Sequence, residues 1–247
     1  MKVLAIYNIK GGVGKTSSAV NLAYLSTQSG ARTLIWDLDP QGASSYYFRI
    51  APKVKGGSKA LIRQKQAIDM MIKGTDFENL DLIPADFSYR HMDLLLNRKN
   101  MDTRQFSRIL KPLKNEYDFL FLDCPPSISL VSENVLQVSD AVIAPVIPTP
   151  LSLRTLQQLS EHCQSHQLED LKIFPFGSMV DRRKKLHREC MELLPQKYPN
   201  MLKSYIPYSS DIEQMAELRD LIVHFSPRKK AALAFRNLWE EIQTIAW

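Results

Sequence analysis

The sequence predicts an α/β fold in which a mostly parallel, twisted β-sheet is covered by helices on both faces. Short β-branched or aromatic runs alternate with longer segments of helical period along the chain, a pattern typical of parallel sheets with crossover helices. A glycine-rich segment links the first apolar run to the first helical segment, and proline-rich segments follow two later strands. The length suggests one large domain or two small ones, and 45% apolar residues permit a sizeable core. We expect a single domain spanning residues 1–247.

Each element is predicted from its own pattern. The expected strands are 2–8, 32–37, 79–83, 117–123, 141–147, 172–179 and 203–206. The expected helices are 15–28, 60–72, 90–110, 129–138, 151–165, 183–196, 209–218 and 228–245. Gly30 ends the first helix, and "DCPPS" and "PVIPTP" break the chain after the fourth and fifth strands. In segment 49–73, "KVKGGSK" predicts a mobile basic loop before a short helix.

The positive charge is unevenly distributed. The net charge of the whole chain is +6. The segment from Arg49 to Lys73 alone has a net charge of +6, because it contains seven basic residues and one acidic residue. Two further clusters are "DRRKKLHRE" at 181–189 and "PRKK" at 227–230. Such concentration indicates a polyanionic partner. The alternative for any one cluster is an ordinary solvated helix face.

Several classes of protein are not expected. No run approaches the roughly 18 apolar residues that a membrane-spanning helix needs. The short apolar run at 3–7 leads directly into glycines, which does not match a signal peptide. Cys124, Cys163 and Cys190 are odd in number and too widely spaced for a zinc knuckle. We therefore expect a reduced, cytoplasmic protein.

The segment "YNIKGGVGKTSSAVNLAYL", residues 7–25, predicts a phosphate-binding loop. Glycines free backbone N–H groups to converge on phosphate oxygens, and a helix N-terminus lies behind them. The general pattern G-x-x-x-x-G-K-[ST] is met at Gly14-Lys15-Thr16, but Ile9 occupies its first glycine position. Lys15 should reach the β- and γ-phosphates, the Thr16 hydroxyl should coordinate Mg²⁺, and Ser17 should lie near the α-phosphate. The expected nucleotide-binding residues here are Lys10, Gly11, Gly12, Val13, Gly14, Lys15, Thr16 and Ser17.

Three motifs together carry a family resemblance. "KGGVGKTS" resembles the deviant phosphate loop (deviant Walker A) of the ParA/MinD group of P-loop ATPases, which includes the nitrogenase iron protein. "WDLDPQG" at 36–42 resembles the group's aspartate-bearing switch, and "FLFLDCPPS" at 119–127 resembles its Walker B strand and second switch. Weaker similarity continues through "PVIPTPLSLRTLQQL" to the terminal helix, so the resemblance covers nearly the whole chain and implies a P-loop NTPase fold.

The resemblance implies a role for the second lysine of the loop, Lys10. In this group that lysine reaches across a two-fold interface to the partner's ATP, so that a homodimer sandwiches two nucleotides. Gly11 would let the opposing backbone approach closely, because a Cβ would obstruct it. The alternative for Lys10 is a solvated loop lysine. The resemblance thus implies ATP/ADP and Mg²⁺ as ligands and Lys10, Lys15 and Asp39 as catalytic residues.

Metal binding and orientation of the attacking water are assigned to aspartates. Asp123 ends an apolar strand, where a carboxylate needs compensation, and a Mg²⁺ shell would supply it. By its match to the switch motif, Asp39 would orient the attacking water, and Asp37 would support the metal region. The expected metal set is Thr16, Asp39 and Asp123. Either Asp37 or Asp39 could instead cap the turn at 40–42.

Two further regions are assigned by the resemblance. Pro125, Pro126 and Ser127 would form a stiff second switch that senses the γ-phosphate. Asp181 and Pro207 lie where members of the group place the adenine pocket. These assignments complete the expected ATP site.

The resemblance implies a slow ATPase, stimulated by an adaptor protein, whose ATP-bound dimer binds DNA non-specifically and positions or partitions a cargo. Such a protein would associate with the nucleoid. Only nine residues precede Lys10, so no helix-turn-helix extension is expected there. Members of the group that bind the nucleoid carry arginines after the "IP" strand, whereas "IPYSSDIEQM" has none. The DNA-binding candidates are Arg182, Arg183, Lys184, Lys185, Arg188, Arg228, Lys229 and Lys230, with the 49–73 segment as a rival surface.

Two alternatives share the ATPase chemistry. A MinD-like membrane-surface ATPase would need a terminal amphipathic helix free to leave the fold. The stripe of Phe235, Leu238, Trp239, Ile242 and Ile245 has helical spacing, but such a stripe more often faces the core. An iron-protein-like reductase would need two suitable cysteines near the dimer face, and Cys163 and Cys190 fall in predicted helices. We expect neither a membrane nor an iron–sulfur partner.

Overall fold

The protein forms an α/β sandwich around one mixed sheet. The computed structural model describes residues 1–97, 104–168 and 170–245. Its strands in these ranges are β1 (Lys2–Ile6), β2 (Thr33–Asp37), β3 (Lys73–Gly74), β4 (Leu80–Ile83), β5 (Phe119–Asp123), β6 (Ala141–Val146), β7 (Lys172–Val180) and β8 (Tyr205–Pro207). They run in the order β3-β4-β2-β5-β1-β6-β7-β8, and only the β3–β4 pair is antiparallel. The predicted fold class is confirmed.

Helices flank the sheet on both sides. They are α1 (Lys15–Thr27), α2 (Ala43–Tyr47), α3 (Gly57–Ile62), α4 (Met92–Asn97), α5 (Gln105–Leu110), α6 (Leu130–Val138), α7 (Pro150–Ser165), α8 (Lys185–Lys197), α9 (Ser210–Leu218), α10 (Ile222–Phe225) and α11 (Lys230–Gln243). Short 3₁₀ turns cover Ile68–Met71, Phe87–His91 and Lys111–Asn115. None of the helices in the described ranges is long and apolar enough to cross a membrane.

Alternation along the strands divides the core into two layers. In β1, Val3 and Ala5 pack in the layer that contains residues of α3 to α7, while Leu4 and Ile6 pack in the layer that contains residues of α1, α10 and α11. All four side chains are buried. A strand covered on both faces must be apolar at every position, which explains its unbroken apolar run.

The terminal helix belongs to this core. Phe235, Leu238, Trp239 and Ile242 are buried in the same layer as α1, and Trp239 packs edge-on against Phe119. The apolar stripe that the membrane alternative requires is therefore occupied by intramolecular packing.

Segment 49–73 differs from the expected loop and helix. The predicted helix at 60–72 is shorter, because Gln64 adopts a left-handed conformation (φ 48°) that ends α3. The backbone of Val54 donates to Asp86, and Leu61 and Ile62 are buried. The segment is thus anchored to the core. The predicted helix at 90–110 is described as α4 and α5, and residues 98–103 lie outside the described ranges.

The sheet brings the predicted motifs to one edge. Ile6, the last residue of β1, lies in register with Asp123 of β5, and Asp123 lies in register with Asp37 of β2. The carboxyl ends of parallel strands are where ligands bind in open α/β sheets. The glycine-rich loop and both buried aspartates therefore meet at one site.

Candidate functional site

The loop between β1 and α1 is shaped by glycines. Gly12 and Gly14 have left-handed backbones (φ 68° and 90°). A Cβ on Gly14 would lie 2.9 Å from the Ser178 hydroxyl, which donates a 2.7 Å hydrogen bond to the carbonyl of Val13. No side chain caps the start of α1 within the described chain. The first N–H groups of α1 therefore remain available to an anion.

Lys15 lies beneath this loop. Its side chain is buried, and its ammonium donates a 2.9 Å hydrogen bond to the carbonyl of Lys10. Burial lowers the pKa of Lys15, and the nearby Asp123 partly opposes that shift. A buried ammonium whose hydrogen-bond acceptor is an uncharged carbonyl is stabilised when an anion binds beside it.

Asp37 and Asp123 form a buried pair of carboxyl groups. The Ser44 hydroxyl donates to Asp123 Oδ2 at 2.7 Å, while the backbone and hydroxyl of Ser45 donate to Asp37 Oδ2 at 2.8 and 2.7 Å. Oδ1 of each aspartate is buried and has no hydrogen-bond partner among the described residues. Burial raises the pKa of both groups, and their proximity raises the pKa of Asp37 further.

These carboxyl groups fit a hard cation. Two orphaned carboxylate oxygens are the type of ligand that Mg²⁺ prefers, directly or through water. The hydrogen bond from Ser44 and the nearby Thr16 side chain favour the charged form of Asp123 and lower its pKa, against the larger effect of burial. Thr16 therefore lies beside Asp123, as a shared cation site requires.

Asp39 has a different environment. Its Oδ1 accepts a 2.9 Å hydrogen bond from the backbone of Gln41, and its carbonyl accepts one from Gly42. In this structure Asp39 therefore makes the contacts of a residue that caps the turn at 40–42. Asp37 does not cap this turn and accepts hydrogen bonds from Ser45 in α2. The catalytic role of Asp39 stays a prediction.

Lys10 is held by its own chain. Its ammonium donates a 3.0 Å hydrogen bond to the Ser152 hydroxyl in the first turn of α7, and its backbone donates to Asn8 Oδ1 at 2.9 Å. It is therefore not a freely solvated lysine. At Gly11, an added Cβ would make only an ordinary 3.8 Å contact with Pro126. Among the described residues, no contact requires glycine at that position.

The proposed second switch lies against the phosphate loop. The hydroxyl of Tyr7, a fully buried residue, donates a 2.6 Å hydrogen bond to the carbonyl of Ser127, and Pro126 lies beside Gly11. The strand that leads into the phosphate loop therefore also positions residues 125–127.

Asp181 and Pro207 line one cleft, as the adenine-pocket prediction requires. The cleft, of about 480 Å³, is also lined by Arg183, Tyr208 and Lys230. Arg183 donates to both carboxylate oxygens of Asp181, at 2.9 and 3.0 Å, and these bonds lower the pKa of Asp181 to about 2. Asp181 is already paired with Arg183.

Two basic clusters distant in sequence meet at this cleft. Arg182 and Arg183 line it from one side and Lys230 from the other. Ion pairs already occupy some DNA-binding candidates: Arg183–Asp181, Lys185–Glu189 and Lys229–Asp211. Arg182, Lys184, Arg188, Arg228 and Lys230 are exposed and make no ion pair with another described residue. The rival segment 49–73 lies beside β4, near the edge of the sheet opposite to β7 and β8.

The sequence interpretation missed several hydroxyl groups. Ser44 and Ser45 hold the two buried aspartates, Ser152 holds Lys10, and Ser178 packs on Gly14. The pair of serines that follows "DPQG" after one alanine is a usable signal, because small hydroxyls there can reach the ends of adjacent strands. Ser152 and Ser178 are far from the loop in sequence and carry no such signal.

The buried pair predicts a stability effect. Asp37→Asn should raise the free energy of unfolding of the nucleotide-free protein at neutral pH by about 1–2 kcal/mol, because it removes a buried carboxylate beside Asp123 while keeping an acceptor for Ser45. Urea denaturation would measure this. Asp76→Asn, at an exposed surface ion pair, should change it by less than about 0.5 kcal/mol. A destabilised Asp37→Asn variant would contradict the interpretation of this pair.

The chain is similar to known proteins over most of its length. A family described as an AAA domain matches residues 1–173. Sporulation initiation inhibitor protein Soj of Bacillus subtilis is 32% identical over 98% of this chain and 98% of its own length. Chromosome partitioning protein ParA of Myxococcus xanthus is 34% identical over 64% of this chain and 56% of its own length. The solved structure of cobyrinic acid a,c-diamide synthase from Mycobacterium smegmatis with a bound ATP analogue and magnesium has a TM-score of 0.84 at 25% identity, covering 98% of this chain and 94% of that one.

Proposed function

Because the chain belongs to the ParA/MinD family of P-loop ATPases, we propose that it binds Mg-ATP at the phosphate loop and hydrolyses it to ADP and phosphate. One observation carries this proposal: the buried Lys15 lies near the buried Asp123, and Asp123 and the neighbouring Asp37 each keep a carboxyl oxygen without a described hydrogen-bond partner. Such an arrangement is unfavourable alone and is offset by a triphosphate and a hard cation.

Each residue then has a defined role. Lys15 and the first N–H groups of α1 bind the phosphates, and Thr16 and Asp123 hold Mg²⁺, which supplies charge neutralisation at the β- and γ-phosphates when bound. Asp39 turns its carboxylate from Gln41 to the attacking water and contributes to the metal shell. The remaining nucleotide contacts come from Gly11, Gly12, Val13, Gly14 and Ser17 at the phosphates and from Asp181 and Pro207 at the base.

We also propose that ATP drives formation of a homodimer that sandwiches two nucleotides. Lys10 leaves the neutral Ser152 hydroxyl for the partner's triphosphate, a stronger charge-assisted contact. Gly11 is compatible with this proposal, because a Cβ there would make only an ordinary 3.8 Å contact with Pro126 of its own chain, so a need for glycine would come from the partner. A cation delivered in trans couples nucleotide state to dimerisation.

The dimer would bind DNA non-specifically and position a cargo. Two basic clusters meet at the cleft beside the carboxyl ends of β7 and β8, and pairing two subunits doubles the phosphate contacts. Slow hydrolysis stimulated by an adaptor protein would then release the dimer from the nucleoid. The names of the relatives, which include a chromosome partitioning protein, support this function over a membrane-surface role, which would require α11 to give up its buried stripe.

DNA binding provides the test. We expect Asp39→Ala with ATP to bind a labelled random-sequence duplex, the ADP form to bind weakly, and added salt to weaken the complex. Reversing Arg182, Lys184 and Arg228 to glutamate should reduce the affinity at least about tenfold. Fluorescence anisotropy at two salt concentrations measures both effects.

The matched control reverses Lys53, Lys55 and Lys59, which changes the charge equally at the rival surface. Both triple variants must still bind ATP and dimerise with it. If only the Lys53, Lys55 and Lys59 variant lost DNA affinity, the DNA-binding surface would be assigned to segment 49–73. Equal affinity with ATP and ADP would reject the nucleotide switch, and binding to anionic vesicles instead of DNA would favour the membrane alternative.

A further inference from the structure

A cluster of metal-ligating side chains joins α6 and α7 outside the proposed ATP site. Glu133 lies in the first turn of α6, His162 lies in the last turn of α7, and His166 directly follows α7. Their potential ligand atoms all lie within 4.8 Å of one another. The proposed ATPase cycle uses none of these three residues.

The contacts of His166 favour one nitrogen for the cluster. Its Nδ1 lies 2.9 Å from the carbonyl oxygen of His162 and 3.1 Å from the Ser165 hydroxyl. In the tautomer whose Nδ1–H donates to that carbonyl, Nε2 presents a lone pair. That Nε2 lies 3.7 Å from Glu133 Oε1. An imidazole that donates its other N–H to a backbone carbonyl is the usual arrangement of a metal-bound histidine.

His162 contributes a second, independent observation. Its Nε2 is sealed from solvent and has no hydrogen-bond partner among the described residues. Its ring centroid lies 4.1 Å from that of His166, one helical turn away. Buried polar atoms normally have a partner.

We propose that Glu133, His162 and His166 bind one divalent transition-metal ion of the Zn²⁺ class. Two imidazole nitrogens and one carboxylate form a ligand set that suits Zn²⁺ and not Mg²⁺. Tetrahedral Zn²⁺ with ligands at about 2.1 Å places ligand atoms about 3.4 Å apart. The ligand atoms must therefore approach by up to about 1.4 Å (4.8 − 3.4), which rotation of the His166 side chain (42% exposed) and the Glu133 side chain (21% exposed) can provide. Water completes the shell.

The bound ion would connect two helices that serve the proposed ATP site. α6 follows the candidate second switch at 125–127, and α7 begins at the turn whose Ser152 holds Lys10. Because Zn²⁺ would bind the folded chain in preference to the unfolded chain, it stabilises the fold.

Zinc titration of the untagged full chain tests this site. The protein is treated with a chelator, freed of nucleotide and Mg²⁺, and titrated with Zn²⁺ by calorimetry at about pH 7.5, where histidine is mostly neutral. We expect one Zn²⁺ per chain and a raised melting temperature. His166→Gln should weaken binding at least about 100-fold, and Glu133→Gln at least about tenfold. Co²⁺ should give the visible absorption of a low-coordinate site in the wild type and not in His166→Gln.

His91→Gln, at an exposed histidine outside the cluster, is the matched control and should bind Zn²⁺ like the wild type. The melting temperature of each variant without metal should equal that of the wild type, which verifies folding. An unchanged affinity in His166→Gln, or no saturable binding by the wild type, would overturn the proposal. An unchanged affinity in Glu133→Gln would reduce it to a two-histidine chelate on α7 and refute the link between helices. ATP binding is measured separately, so its failure would not be mistaken for failure of this site.

Discussion

Replacing Lys15 with alanine is expected to abolish measurable Mg-ATP binding. The wild-type ammonium is buried under the loop and donates to the carbonyl of Lys10, so it can meet a phosphate that enters the loop with a short movement. Each charge-assisted hydrogen bond contributes about 1.5–3 kcal/mol. Losing the contacts to two phosphates should weaken binding by at least about a hundredfold. Calorimetry with a slowly hydrolysed ATP analogue would measure the loss.

Two variants make this experiment specific. Lys15→Met keeps the apolar stem that packs in the site and should bind as poorly as Lys15→Ala, which separates lost charge from lost packing. Lys53→Ala removes an exposed lysine elsewhere and should bind normally. Wild-type affinity in the Lys15→Met variant would show that the phosphate loop is wrongly assigned.

Replacing Lys10 with alanine is expected to leave nucleotide binding within one subunit but to abolish the ATP-bound dimer and its hydrolysis. The proposed contact is made in trans, so its loss should remove the link between ATP and dimerisation while the cis phosphate contacts of Lys15 persist. Light scattering after gel filtration with ATP measures the mass, with Asp39→Ala as the trapped dimer.

Ser152→Ala is the matched control for Lys10. It removes the described partner of the Lys10 ammonium but keeps the lysine, and it should therefore dimerise at least as readily as the wild type. If the Lys10→Ala variant dimerised normally, the contact in trans would be refuted. If Ser152→Ala lost the dimer as Lys10→Ala does, the role of Lys10 would lie within its own chain.

Most strands and the phosphate loop could be predicted because local patterns determine them. β1 must be continuously apolar between two helical layers, and the loop after it needs glycines where φ is positive. The boundaries of α1 agree with the predicted helix to one residue at its end. The need for a partner at Asp123 could also be predicted, because a carboxylate is costly to bury at the end of an apolar strand.

The remaining features depend on contacts between segments distant in sequence. α3 ends just before Gln64, which has a left-handed backbone. The sequence does not predict this end, because the residue is not a glycine. The ammonium of Lys10 meets Ser152, a residue 142 positions away. Glu133 of α6 lies near His166, 33 positions later at the end of α7, only in the folded chain. Such pairings arise from tertiary packing, which periodicity along one segment cannot encode.

The edges of the sheet limit how the protein can polymerise. One edge is the two-residue strand β3, which contains the exposed Lys73, and the other is the three-residue strand β8, which ends at Pro207 after an irregular pairing with β7. Short strands, a lysine and a proline without an N–H group all discourage strand addition from another chain. If copies of this chain assembled into a filament, their contacts would therefore be made through side-chain surfaces and not through a continuous intermolecular β-sheet.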